Sequence, residues 1–132
     1  TTLFRSIKIT NTKKLLIKMQ LWEIVTLLDA KVLTGGSELS REVEHAFASD
    51  LMSDVLTVDH RNTLLITGLS NLQSVRTAEM SDIGQVIVVR NKEVSVEMIR
   101  LARASNIVLL TSSYSMYRVS GILYQAGIEP IF

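Results

Sequence analysis

The chain contains no cysteine, which excludes disulfides, a thiolate nucleophile, iron–sulfur ligation and a cysteine zinc site. It has one proline in 132 residues, in keeping with a compact, well-ordered globule. No apolar run approaches the roughly 18 residues that a spanning helix requires, so no membrane span is expected. The glycine motifs of nucleotide binding are also missing. No G-x-x-x-x-G-K-[ST] run occurs, and the nearest glycine pair, Gly35-Gly36, has no lysine in the right place, so a P-loop is excluded. No G-x-G-x-x-G follows a strand, which removes the usual dinucleotide fingerprint. The two histidines, His45 and His60, lie on different segments without H-x-x-x-H spacing. Each is expected to be a solvated or hydrogen-bonded structural residue, and no metal or cofactor is expected.

The net charge of +1 hides an asymmetry. Residues 1–18 carry five basic residues (Arg5, Lys8, Lys13, Lys14, Lys18) and no acid, leaving nine basic against 13 acidic residues, a net −4, for 19–132. A nucleic-acid-binding body concentrates lysine and arginine, so nucleic acid is not an expected partner. The first six residues, Thr1-Thr2-Leu3-Phe4-Arg5-Ser6, match the translation of a common sequencing-adapter end, and Ile7 to Lys18 has the composition of translated AT-rich DNA. A basic arm for nucleic acid or membrane is the functional alternative. The segment 1–18 is read here as read-through, and 19–132 as one domain, expected to be soluble and cytoplasmic.

Three short apolar runs each empty into small polar residues. Leu64-Leu65-Ile66 leads to Thr67-Gly68-Leu69-Ser70-Asn71, Val86 to Val89 leads to Arg90-Asn91, and Ile107 to Leu110 leads to Thr111-Ser112-Ser113-Tyr114. Strands are predicted over 31–34, 43–48, 63–67, 85–90 and 107–111. Leu21, Ile24, Val25 and Leu28 at i, i+3, i+4, i+7 predict a helix over 20–29, and Val119, Ile122, Leu123 and Ala126 another over 115–126. Asn71 and Ser95 are N-caps for helices over 72–81 and 96–105, and Gly127 is a left-handed C-cap. Residues 51–56 read as a single helical turn or a loop, 59–62 as a polar connector, and 128–132 as an apolar tail or edge strand. Alternation of strand and helix from residue 63 predicts a three-layer α/β/α fold with a mostly parallel or mixed sheet.

Ligands bind at the carboxyl ends of strands in such sheets, which predicts one rim: Asp50, Thr67 to Asn71 and Thr111 to Tyr114. Gly68 would let a ligand approach the backbone, and the following helix start offers N–H groups. Arg76, one turn into that helix, would supply charge; its other reading is a surface pair with Glu79. Asp50 and Asp54, four residues apart, would share one side of a helical turn and bind a cation or a ligand hydroxyl; otherwise they are caps. Thr111, Ser112, Ser113 and Tyr114 repeat the pattern with an aromatic ring for stacking. No serine has a histidine base in a recognisable arrangement, so no catalytic residue is assigned.

The segments Ala48-Ser49-Asp50-Leu51-Met52-Ser53-Asp54-Val55-Leu56, Leu65-Ile66-Thr67-Gly68-Leu69, Val75-Arg76-Thr77-Ala78-Glu79-Met80 and Ile107 to Gly127 resemble a stand-alone DRTGG-domain protein. The likeness runs from about Met19 to the end. The C-terminal block, with Leu123-Tyr124-Gln125-Ala126-Gly127-Ile128, also resembles the N-terminal domain of HPr kinase/phosphorylase. A D-R-T-G-G string itself is absent. The resemblance implies a regulatory or dimerising module, such as those beside CBS pairs in regulated pyrophosphatases. Stand-alone members lie near genes for iron-only hydrogenases. The expectation is therefore a non-enzymatic, homodimeric sensor of a small anionic or nucleotide-like ligand. An assembly subunit with an apolar face near Trp22, Tyr117 and Phe132, with a hydrogenase-linked protein partner, is the second reading. A metal-dependent enzyme built on Asp50 and Asp54 is the third.

Overall fold

A computed structural model describes residues 18–58 and 62–132. The basic segment 1–18, apart from Lys18, lies outside them, as do His60 and most of the 59–62 connector. Among the described residues, eight strands and five α-helices follow in order: β1 (Met19–Gln20), α1 (Leu21–Leu28), β2 (Lys31–Thr34), β3 (Glu42–Val43), β4 (His45–Ala48), α2 (Met52–Val55), β5 (Thr63–Thr67), α3 (Leu72–Met80), β6 (Gln85–Val88), α4 (Val96–Ala104), β7 (Val108–Thr111), α5 (Met116–Ala126) and β8 (Glu129–Pro130). A short 3-10 turn, Gly36–Glu38, follows β2.

The central sheet has six strands in the order β2-β7-β6-β5-β4-β8. Strands β4 to β7 and β8 pair in parallel, and β2 lies antiparallel on β7. Every residue of β5 and β6 is buried, because helices cover both sheet faces. This is why these strands are continuous apolar runs without alternation. On one face α1 and α5 bring Leu21, Ile24, Leu28, Val119 and Leu123 against Leu64, Ile66, Ile87 and Leu110. On the other, α2, α3 and α4 bring Met52, Val55, Val75, Ala78, Met98 and Ala102 against Leu65, Val86, Val88 and Leu109. Each fully buried leucine or isoleucine stabilises the fold by about 1.5–3 kcal/mol relative to exposure.

The helices start where short polar side chains satisfy orphan amides. Asn71 Oδ1 accepts from Ser74 N at 3.3 Å, Ser95 Oγ from Met98 N at 3.2 Å and Ser115 Oγ from Arg118 N at 3.1 Å. Gly127 ends α5 at φ 105, a left-handed conformation that glycine adopts without a Cβ clash.

Two strand expectations need correction. Residues 43–48 form two strands. Val43 pairs with Met19 in a two-stranded antiparallel ribbon, while His45 to Ala48 pair with β5. Glu44 is the crossover, its amide donating to Asn62 O and its carbonyl accepting from Glu129 N. A change of pairing partner leaves no mark in an unbroken β-like pattern. Strand β6 also ends at Val88, because Arg90 and Asn91 both take left-handed φ values, 68° and 56°.

The connection after β6 runs to α4 on one face and that after β7 to α5 on the other. Neighbouring parallel strands whose connections diverge in this way define the topological switch point, where a crevice opens at the carboxyl edge.

Candidate functional site

Four strand ends, after Ala48, Thr67, Val88 and Thr111, lie side by side at the carboxyl edge. The corner after β5 is closed by the chain itself. Asp50 Oδ1 accepts from Gly68 N at 2.6 Å and from Thr67 Oγ1 at 3.1 Å. Thr67 is fully buried, and its hydroxyl oxygen also accepts from Leu69 N at 3.1 Å. The Arg90 guanidinium lies over Gly68 and 3.9 Å from Asp50 Oδ2, with both side chains about half exposed (49%). A Cβ at Gly68 would meet Arg90 Nη2 at 2.7 Å and Nε at 2.8 Å, so glycine is what lets the guanidinium lie there. Lys92 Nζ donates to Gly68 O at 3.1 Å. One carboxylate thus meets an amide, a hydroxyl and the Arg90 cation, with a second cation, Lys92, held on the carbonyl of the same glycine.

The corner between β6 and β7 is tied through its backbone. Arg90 N donates to Tyr114 O at 2.8 Å and Asn91 N to Ser112 O at 3.1 Å. These bonds hold the unusual left-handed pair; non-glycine residues rarely adopt such backbone, and it persists where the surroundings over-determine it. The buried Ser112 hydroxyl donates to Leu28 O at 2.8 Å and accepts from Tyr114 N at 3.2 Å, joining the end of α1 to the rim. The Tyr114 ring lies under the Arg118 guanidinium, 3.7 Å from its centroid, a cation–π contact. Beside this corner a cleft of about 310 Å³ opens, lined by Asp29, Ala30, Lys31, Asn91, Lys92, Thr111, Ser112 and Ser113. Two lysines, one acid and the hydroxyl residues Thr111 and Ser113 line it, a lining suited to an anionic ligand.

Residues 23–126 match the family model described as the DRTGG domain. The chain belongs to the DRTGG domain family. No curated protein matches it. Among solved structures, the CBS and DRTGG domains of the regulatory region of Clostridium perfringens pyrophosphatase, complexed with the activator diadenosine tetraphosphate, are similar to it. The TM-score is 0.69 at 16% identity, over 83% of this chain and 47% of that one. This DRTGG chain therefore spans about half the length of that solved chain, and the likeness is one of fold.

Within the DRTGG fold the sequence-predicted site residues other than Tyr114, whose ring stacks with Arg118, divide into three groups. Asp50, Thr67 and Gly68 are brought together at the β5 corner, and Thr111, Ser112 and Ser113 line the cleft. Ser70 and Asn71 stand next to the β5 corner with their polar atoms engaged. The Ser70 hydroxyl donates to Glu93 O, and the Asn71 side chain caps α3. Asp54 and Arg76 are exposed on α2 and α3 and share none of these contacts among the described residues. Asp50 precedes α2, whose first residue is Met52, so the expected one-turn spacing with Asp54 does not arise. His45 opens β4, at the opposite end of the strands from Thr67. Arg90, Lys92 and Lys31 were not singled out by the sequence. The signal available for Arg90 was its place at the strand end, in the second of the three polar corners.

Proposed function

We propose that this chain is a non-enzymatic regulatory module that senses a small anionic or nucleotide-like ligand at the carboxyl rim of its sheet and acts as a homodimer in the cytoplasm. The observation that carries this reading is the switch-point cleft lined by Lys31 and Lys92 together with Thr111 and Ser113. These groups orient and neutralise charge; they do not form a nucleophile–base pair. Family membership supports a regulatory role, and the solved pyrophosphatase region binds a nucleotide activator. The resemblance of the sequence to stand-alone members near hydrogenase genes makes hydrogenase-linked energy metabolism the proposed setting.

A thermal-shift screen of nucleotides, polyphosphates and phosphorylated metabolites tests this. A ligand at 100 times its Kd raises stability by about 2.7 kcal/mol through mass action. The expected result is a shift with at least one of them that is lost in the Lys31→Ala/Lys92→Ala double variant. A flat screen across all three classes counts against the sensing role.

A second reading, an assembly subunit without a small ligand, is favoured by one observation. Tyr117 and Phe132 are 89% and 84% exposed, and Phe132 borders an apolar groove of about 300 Å³ with Phe47, Tyr124 and Ile131. Large exposed apolar groups beside a groove suit a protein partner. Co-purification of a neighbouring gene product, lost in Tyr117→Ser/Phe132→Ser, is its test.

A further inference from the structure

The β5 corner has the chemistry of an oxyanion site, and the chain occupies it with its own carboxylate. Two hydrogen-bond donors and a cation converge on Asp50: the Gly68 amide at 2.6 Å, the Thr67 hydroxyl at 3.1 Å and, at ion-pair distance, the Arg90 guanidinium at 3.9 Å. Peptide amides, hydroxyls and arginine are the groups that hold phosphate and carboxylate oxygens. A second cation, Lys92, is fixed on the carbonyl of Gly68. Asp50 is thus paired with one cation, Arg90, while a second is held on the same glycine.

The ion-pair part of the tie is the exchangeable part, and the Gly68 amide bond at 2.6 Å is what a ligand must displace. The Asp50 and Arg90 side chains are both half exposed, and the ion pair is long at 3.9 Å, the kind that contributes little to stability in water. Asp50 also stands on the three-residue link between β4 and α2, outside either element. The backbones that carry these groups, by contrast, are rigidly held. Thr67 is the last residue of a fully buried strand, and the Arg90 backbone is locked to Tyr114 O. Lys92 lines the neighbouring cleft as well, so an anion arriving there meets this corner through a shared cation.

We propose that the β5 corner is a phosphate-binding site whose resident occupant is Asp50, and that a phosphate-bearing ligand binds by taking the Gly68, Thr67 and Arg90 donors from it. Ligand binding then frees the β4–α2 link, which gives the module a way to report occupancy. This inference deepens the sensing role and rests on it for its physiological meaning, while the chemistry stands by itself.

Inorganic pyrophosphate is the probe, titrated calorimetrically and by amide NMR at low ionic strength. Asp50→Ala should bind it at least tenfold more tightly than the wild type, and Asp50→Asn, which keeps an acceptor but no charge, should fall between them. Adding Arg90→Gln to Asp50→Ala should abolish that gain. In the wild type, the Gly68 amide resonance should move on titration. An Asp50→Ala protein that melts like the wild type and gains no affinity overturns the proposal. So does a wild-type titration that moves the Asn91 to Ser113 amides and leaves Gly68 unmoved, which also decides the matter if the variants fail to fold. That last result would keep the sensing role and relocate the ligand to the cleft. A gain in Asp50→Ala alongside a flat ligand screen would do the reverse.

Discussion

The corners after β5 and β7 begin from the same sequence pattern, an apolar strand running into threonine, serine and a small or polar residue. They end in opposite states. At β5 the polar groups are consumed by an acid from another segment, Asp50, with Arg90 laid across the top. At β7 the hydroxyl of Ser112 is turned inward to the end of α1, while Thr111 and Ser113 remain on the wall of a cleft. The difference comes from the neighbours. Strand β4 lies beside β5 and delivers Asp50 to its end, whereas the antiparallel β2 beside β7 delivers Asp29 to Lys31, the start of a strand. A polar strand end is therefore a site only to the extent that the adjacent strand leaves it open.

The largest expected effect is at the inward serine. Ser112→Ala would leave Leu28 O without its donor and Tyr114 N without its acceptor. Unmet buried groups cost about 1–3 kcal/mol, so its denaturation midpoint should fall clearly and the β7 corner should loosen first in hydrogen exchange. Thr67→Val ranks next in the same range, about 1–3 kcal/mol, because Leu69 N loses its acceptor while Asp50 keeps the Gly68 amide. If Thr67→Val proved the more costly, the β5 corner would be the structural keystone and the comparison would invert.

Smaller effects separate binding from folding. Gly68→Ala should cost less than either, since the clashing atoms are the movable end of Arg90. Its signature is loss of the Arg90–Asp50 contact, visible as a shift of the Arg90 Nε resonance. Lys31→Ala/Lys92→Ala should leave the melting temperature nearly unchanged, because both side chains are exposed, while removing the ligand response of the cleft. Arg76→Ala should change neither stability nor ligand response, Arg76 being exposed and apart from both corners; a lost response would return it to the site.

Much of this was readable without coordinates. Strand β5 follows from Thr63 to Thr67 as an apolar run between polar breaks, and Asn71 and Ser95 mark helix starts by a local bond to an amide three residues on, whereas the like bond of Ser115 emerged only in the structure. Gly127 marks the end of α5 in the same way. Asp50, Thr67 and Gly68 were placed on one rim because strand ends in a parallel sheet share an edge. The split of residues 43–48 was not readable, since Val43 and His45 differ in pairing partner and not in residue type. Nor was the importance of Arg90 and Lys92. Arginine in a left-handed turn is against its backbone preference, and long-range bonds from Arg90 and Asn91 to Tyr114 and Ser112 hold it there.

By itself, the sequence determined the order of elements, the two-sided burial of the strands and the edge at which polar residues gather, because each follows from local patterning and short-range hydrogen bonds. Only the tertiary structure decided which corner is shut and which is open. That choice depends on contacts between Asp50 and Gly68, and between Ser112 and Leu28, separated by 18 and 84 residues. No local preference encodes such pairs; they exist because the sheet order sets those chain segments side by side.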